Sequence, residues 1–400
     1  MENDQSTGLG NQITVVVLAG AALLAALVAR FVLPAQFLLD DGHLRDAMDP
    51  QHAYLSDPSF QMVAALYRGL GLADAPSLAA LLGEALFLVG MFAAIGWGRI
   101  RHMGVISLAA VAASVLLSVA YLGQYSKELL TLVVMLLVLA APRRWQGEFV
   151  VVGACLAYGA AVRPYWILVA ALYVLWRLAF RYLKRPIWLL VVPVLVYAAL
   201  QPAFLAVLGG GLQSQRTAVN GTRETAGDVA SLIVSPLPDA AGPMGVVAAL
   251  VMLILMVVPV PLLLSLSPYH MVSAVLILGI WLTVLLPVVR GEVQGRTGPT
   301  QPRARVTASR CAALLLAFLL VQALFEPDFG SCLKHLSPLL PLFLAMLPSS
   351  IGRAGAGAEP HARTQADEQP SPQAQAQARA QDVPTALTPH PTRRPQEAVL

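Results

Sequence analysis

Asp, Glu, Lys and Arg make up only 12% of this 400-residue chain, and the ionisable groups flanked by apolar sequence gather in five short stretches. Asp40-Asp41-Gly42-His43 follows the first apolar run. Adjacent carboxylates there could hold a divalent cation, and Asp40, Asp41 or His43 could take a proton from a hydroxyl. Lys127-Glu128 opens a later run; neighbours in a helix do not face each other, so each needs its own partner, and Lys127 could hold a phosphate. Arg163 stands before Pro164 between two runs, and a guanidinium forks onto phosphate or carboxylate oxygens. Arg216 and Arg223 lie seven apart in the polar stretch 209–242, on one face if that stretch is helical. Last comes Phe325–Pro341, with Glu326, Asp328, a Gly330-Ser331 step read as a tight turn, Lys334 and His335. His335 is a candidate proton acceptor, with Lys334 and Asp328 as candidate binding groups.

The elements that must position these groups are membrane helices. Hydrophobic residues are 57% of the chain and mean hydropathy is +0.69, whereas soluble domains average roughly a quarter charged residues. A bilayer span needs ~20 apolar residues. Runs of that kind, some shorter, are 13–34, 78–97, 103–122, 129–141, 149–162, 165–178, 187–208, 243–264, 271–289, 311–325 and 336–347. The expected fold is all-α: a polytopic membrane domain (13–349) of about ten or eleven transmembrane or re-entrant helices. Breaks at Lys127-Glu128 and Arg163-Pro164 are of the kind tolerated where the backbone is buried or lines a polar cavity. The leader, residues 1–12, carries no Lys or Arg, which favours an uncleaved first span. From Ser350 onward the chain turns to Ala, Gln, Pro, Arg and Thr, a composition that predicts a disordered tail.

Lys and Arg bias sets orientation. Arg99/Arg101, Arg143/Arg144, Arg177–Arg185 and the five Arg between 290 and 310 read as cytoplasmic. Loops 38–77, 123–128, 163–164, 209–242 and 326–335 then fall outside; the first has six Asp against two Arg, a balance of −4. One conflict follows. Two spans between an outer 209–242 loop and an inner Arg290 give the wrong parity, and Pro259, Pro261 and Ser267-Pro268 mark this region as the place for a re-entrant or interfacial segment.

Each polar group also has a plainer reading. Asp40-Asp41 fits a solvated acidic loop, Lys127 and Glu128 fit salt bridges to neighbouring helices, and His335 fits a helix-capping histidine. Nucleotide-binding, nucleophile-elbow and zinc motifs are missing from the sequence. The three cysteines form no disulfide framework, and a net charge of +4 spread among loops makes no nucleic-acid surface.

On Leu33-Pro34 with Phe37–Asp41, Tyr125-Ser126-Lys127-Glu128, Arg216–Asp228 and Asp328–Pro341, the chain resembles bacterial polysaccharide repeat-unit polymerases, the O-antigen polymerase-like (Wzy-like) membrane proteins. The resemblance implies a multi-pass protein of the bacterial inner membrane. It further implies outer-loop arginines (Arg163, Arg216, Arg223) that bind undecaprenyl-diphosphate-linked glycan, with a flippase and a chain-length regulator as partners. Where that family often has Gly-Ser/Thr-x-x-Arg-His, this chain has Gly330-Ser331-Cys332-Leu333-Lys334-His335, and lysine lacks arginine's bidentate geometry. No cofactor is implied. A second resemblance is to GT-C-type glycosyltransferases, with an acidic residue of the first outer loop (Asp40 or Asp41) as catalyst and a divalent metal as cofactor. The third class is a non-enzymatic transporter or scaffold of glycan assembly.

Overall fold

The computed structural model describes residues 2–52, 57–183, 185–226, 231–237, 240, 242–294 and 302–347, with the side chains of 2–7, 36, 208, 222–226 and 302–304 excepted. The expected disordered tail lies outside the described residues, as does the Arg223 side chain.

Among the described residues every regular element is a helix and there is no strand. α1 (Glu2–Val32) leads through a short 3-10 turn to α2 (Leu39–Met48) and α3 (Pro58–Gly69). There follow α4 (Pro76–Ile95), α5 (Trp97–Ile100), α6 (Val105–Leu122), α7 (Glu128–Ala140), α8 (Trp145–Ala161), α9 (Tyr165–Tyr182) and α10 (Trp188–Leu208). α11 (Ser214–Ala226), α12 (Gly242–Val257), α13 (Val260–Leu264), α14 (Pro268–Val289), α15 (Pro302–Phe325), α16 (Phe329–Leu336) and α17 (Leu340–Ala345) complete the order. Seven of these helices are long and apolar enough to cross a bilayer. The chain is a multi-pass membrane protein.

Two ends of the bundle are defined by contacts between turns. At one, Arg310 donates to the carbonyls of Ala141 (3.1 Å) and Pro142 (3.0 Å) and pairs with Glu148, which Arg177 also holds. Arg99 donates there to the Leu347 carbonyl at 2.6 Å, and Val288 shares a crevice with Trp176 and Arg185. The loop cations read as cytoplasmic thus gather at this end. The other end carries residues 123–128, 163–165 and 326–335. There α2 and α3 form a cap with its own small core of Leu44, Val63, Tyr67 and Tyr125. The cap clamps the segment before α7: the Tyr125 hydroxyl donates to the Ala73 carbonyl at 2.8 Å, and Tyr67 to that of Ser126 at 3.3 Å.

The parity conflict resolves at α12–α14. Gly245, near the start of α12, abuts Gln201 in the second half of α10. Tyr269, at the start of α14, lies 6.3 Å ring to ring from Phe37, whose carbonyl accepts from Gln124. Both helices therefore begin at the capped end. α12 and α13 enter and return on the same side, turning into α14 through Leu266 at φ +53°, and α14 alone crosses. Residues 243–264, expected as one span, are a re-entrant hairpin broken at Pro259 and Pro261. α15, buried on nearly all sides, is the central post of the bundle. It delivers Glu326 at the capped end.

Candidate functional site

Local sequence explains how Glu326 meets its partners. Asp328 is the N-cap of α16, its carboxylate accepting from the Ser331 amide at 2.7 Å, a role short polar side chains fill well. Gly330-Ser331 is thus the first turn of a helix and not the tight turn its composition predicts. One helical turn separates Ser331 from His335, so the two share a face and both reach back to Glu326. Ser331 Oγ donates to Glu326 Oε1, and His335 Nδ1 lies 2.8 Å from Glu326 Oε2. Lys334 points away from that face and pairs with Asp40 at 2.7 Å.

The opposite wall comes from α7 and the α8–α9 turn. Glu128 is fully buried, and its Oε1 receives Arg163 Nη2 at 2.5 Å. Its Oε2 accepts from Thr131 at 3.1 Å, and the Tyr158 hydroxyl completes the chain by donating to Thr131 at 2.8 Å. Arg163 Nη1 donates to the Tyr165 hydroxyl at 3.0 Å. His335 Nε2 stands 3.6 Å from Glu128 Oε1. One imidazole therefore bridges two buried carboxylates. A carboxylate only accepts, so the proton of the Glu326 contact sits on Nδ1, and Nε2 is the ring atom turned toward Glu128.

Electrostatics follow this geometry. Burial pushes the Glu326 carboxyl up, but the His335 charge and the hydrogen bonds from His335 and Ser331 bring it below its ordinary value. Burial likewise opposes the charge on Arg163, and Glu128 more than offsets it, holding the guanidinium well above its usual range. Lys127 is the exception. Its ammonium lies 3.5 Å over the Phe60 ring and makes no ion pair among the described residues. Burial lowers its pKa, Asp40 raises it, and Arg163 and Lys334 lower it further as like charges. Three cations from three segments thus converge within mutual repulsion, two of them held by carboxylates.

The sequence-expected residues divide accordingly. Asp40, Lys127, Arg163, Asp328, Lys334 and His335 come together at the capped end. Asp41 faces Arg45 on its own helix, at 2.6 and 3.2 Å, and the Tyr125 amide at 3.4 Å. Arg216 is placed differently from its expected role at a diphosphate. Its guanidinium is buried and donates to the carbonyls of Glu326 (2.8 Å), Ala323 (2.6 Å) and Gln322 (3.3 Å) and to the Gln213 side chain (3.1 Å). The Ala323 and Glu326 carbonyls are ones that the end of α15 leaves without helical partners, while that of Gln322 also accepts from the Glu326 amide; Arg216 thus caps this helix end, with its pKa pushed down to about 10 by burial. A second strap joins the same places: Ile233 donates to the Pro327 carbonyl at 2.8 Å and Phe329 to that of Ser231 at 3.1 Å. Glu326, Thr131 and Tyr158 were not singled out from sequence as site residues. The Glu326–Ser331–His335 spacing, five then four, was the available signal for the first. Among the described residues no three His, Cys, Asp or Glu are grouped to hold a metal ion.

Comparison with known proteins returned no match: no family model covers the chain, and no curated protein or solved structure is significantly similar to it.

Proposed function

We propose that the capped end is the transfer site of a glycan polymerase that uses polyprenyl-diphosphate-linked repeat units at the outer face of a bacterial inner membrane. The observation that carries this is the convergence of Lys127, Arg163 and Lys334 around a carboxylate-oriented histidine. Lys127, an ammonium with only a ring beneath it, is a seat for an anion. A diphosphate leaving group gains negative charge as its bond to the sugar breaks, and fixed cations at that point lower the barrier. In the proposed step an acceptor hydroxyl attacks the anomeric carbon of the lipid-linked glycan. The carbon–oxygen bond to the diphosphate breaks, polyprenyl diphosphate departs, and the hydroxyl proton goes to His335 Nε2. Glu326 holds the imidazole in the tautomer that leaves Nε2 free for it.

Orientation supports the reading. The cationic loops gather at the opposite end, which the Lys/Arg bias assigns to the cytoplasm, so the cluster faces outward. The partners follow from the role: the lipid-linked glycan itself, the bilayer, a flippase that delivers it and a chain-length regulator. The test is deletion of the protein with complementation by Lys127→Ala or His335→Ala, surface glycan being resolved by gel. Single repeat units in place of long chains support the reading, and unchanged long chains in both variants overturn it.

One observation favours a second reading, a GT-C-type transferase with Asp40 as base. Asp40 Oδ2 is buried and without a hydrogen-bond partner, so it has capacity to take a proton. In that case Asp40→Asn abolishes glycan altogether instead of shortening it, and added divalent cation restores a chelator-treated enzyme.

A further inference from the structure

A carboxylate that the proposed transfer does not use lies within the membrane body. Glu84 sits in the third turn of α4, amid Leu, Ala, Phe and Val, and is fully buried. Gly83 beside it brings α4 against the end of α6, where a Cβ would overlap the Leu122 carbonyl oxygen. Across this joint Ser118 Oγ lies 3.0 Å from Glu84 Oε1 and 2.8 Å from the Val115 carbonyl oxygen. The Ser118 hydroxyl is the donor in both contacts and has one proton to share between them, so Glu84 receives at most half of a neutral hydrogen bond and no charge.

The surroundings point the same way. Glu84 Oε2 has no partner. Of the elements packed on α4, α6 and α17 carry no Asp, Glu, Lys, Arg or His, and neither does the turn Ser337–Leu339. α7 contributes Glu128, already paired with Arg163. α5 brings Arg99, which donates to the Leu347 carbonyl, and α1 brings Arg30 in its last turn, over the Phe31 ring. A buried carboxylate with no cation beside it is relieved by taking up a proton.

We propose that Glu84 is a proton-binding site inside the membrane body, an uncharged carboxylic acid at neutral pH that accepts from Ser118 and joins α4 to α6. The joint lies where α6 ends and residues 123–127 lead into α7. This assignment stands independently of the transfer chemistry.

Infrared difference spectroscopy of the full-length protein in lipid nanodiscs tests it, with Glu84→Gln, the neutral isostere, subtracted from the parent. The expected result is loss of one protonated-carboxyl C=O stretch with the thermal midpoint unchanged at neutral pH. Ser118→Ala then moves the same band to higher frequency, as a hydrogen bond to it is lost, and this arm stands even where Glu84→Gln fails to fold. Loss of carboxylate stretches instead, or a Ser118→Ala spectrum without any shift in the protonated-carboxyl region, overturns the proposal.

Discussion

The Glu128–Arg163 pair separates what the cluster does for stability from what it does for function. Arg163→Met strands Glu128, which has no exposed surface and keeps only the Thr131 hydroxyl and, 3.6 Å away, His335. Breaking a buried pair by removing one partner costs about 3–5 kcal/mol, while replacing both with uncharged groups of similar size is often neutral. The double variant Glu128→Gln/Arg163→Met should therefore recover most of the loss. Contacting charged residues couple by roughly 0.5–3 kcal/mol, and a direct contact at 2.5 Å belongs in the upper half of that range. The assay is thermal unfolding in nanodiscs followed by Trp166, which packs edge-on against Tyr158 beside the pair at 5.0 Å, with surface-glycan length measured on the same four proteins. The expected outcome is a double variant that is stable yet makes no long chains. Additive single-variant effects, with coupling under about 0.5 kcal/mol, would refute the claim that this is a direct buried pair. Restored chain length in the double variant would show the charges to be structural alone.

Arg216→Ala leaves the Ala323 and Glu326 carbonyls uncapped; hydrogen bonds to charged groups are each worth about 1.5–3 kcal/mol, so the loss should be at least about 3 kcal/mol. Arg216→Lys should recover only part of it, since an ammonium lacks the fork; chemical unfolding of both checks this, and a fully stable Arg216→Ala would contradict the capping role. Gly147→Ala should lower expression and the thermal midpoint, because its Cβ would overlap the Pro142 carbonyl oxygen and lie 2.6 Å from Arg310 Nη2. The Glu326 carboxyl is held below its ordinary value. Its contribution to stability is thus present above about pH 4.3 and is lost as pH falls through the lower folded value. Glu326→Gln should flatten the acid limb of a stability–pH curve, and an unchanged limb would count against that assignment.

The membrane architecture was legible because span length and hydropathy are set by the bilayer. Even the misfit parity around residues 243–290 pointed to the right place, since Pro259, Pro261 and Pro268 break α12–α14 where the chain turns back. The site was only partly legible. Lys127, Arg163 and His335 stood out because a charge beside an apolar run is conspicuous, and the adjacency of Lys127 and Glu128 implied separate surroundings: Glu128 pairs with Arg163, whereas Lys127 lies over the Phe60 ring. Their identities were not readable, because Glu128 meets Arg163 across 35 positions and Lys334 meets Asp40 across nearly 300. Arg216 was misleading for a physical reason: an arginine in a polar loop looks the same whether it awaits a phosphate or caps a helix. Glu84 passed unnoticed inside a run whose mean hydropathy is high in spite of it.

The central claim is that Lys127, Arg163, Lys334 and His335 together transfer a lipid-linked glycan. Its most direct measurement is a reaction with the purified protein in liposomes, supplied with polyprenyl-diphosphate-linked repeat units. Longer lipid-linked chains are expected, with one polyprenyl diphosphate released per linkage formed, and both products are lost in His335→Ala, whose fold is checked by thermal unfolding. Chain growth at the parental rate in His335→Ala and Lys127→Ala would contradict it.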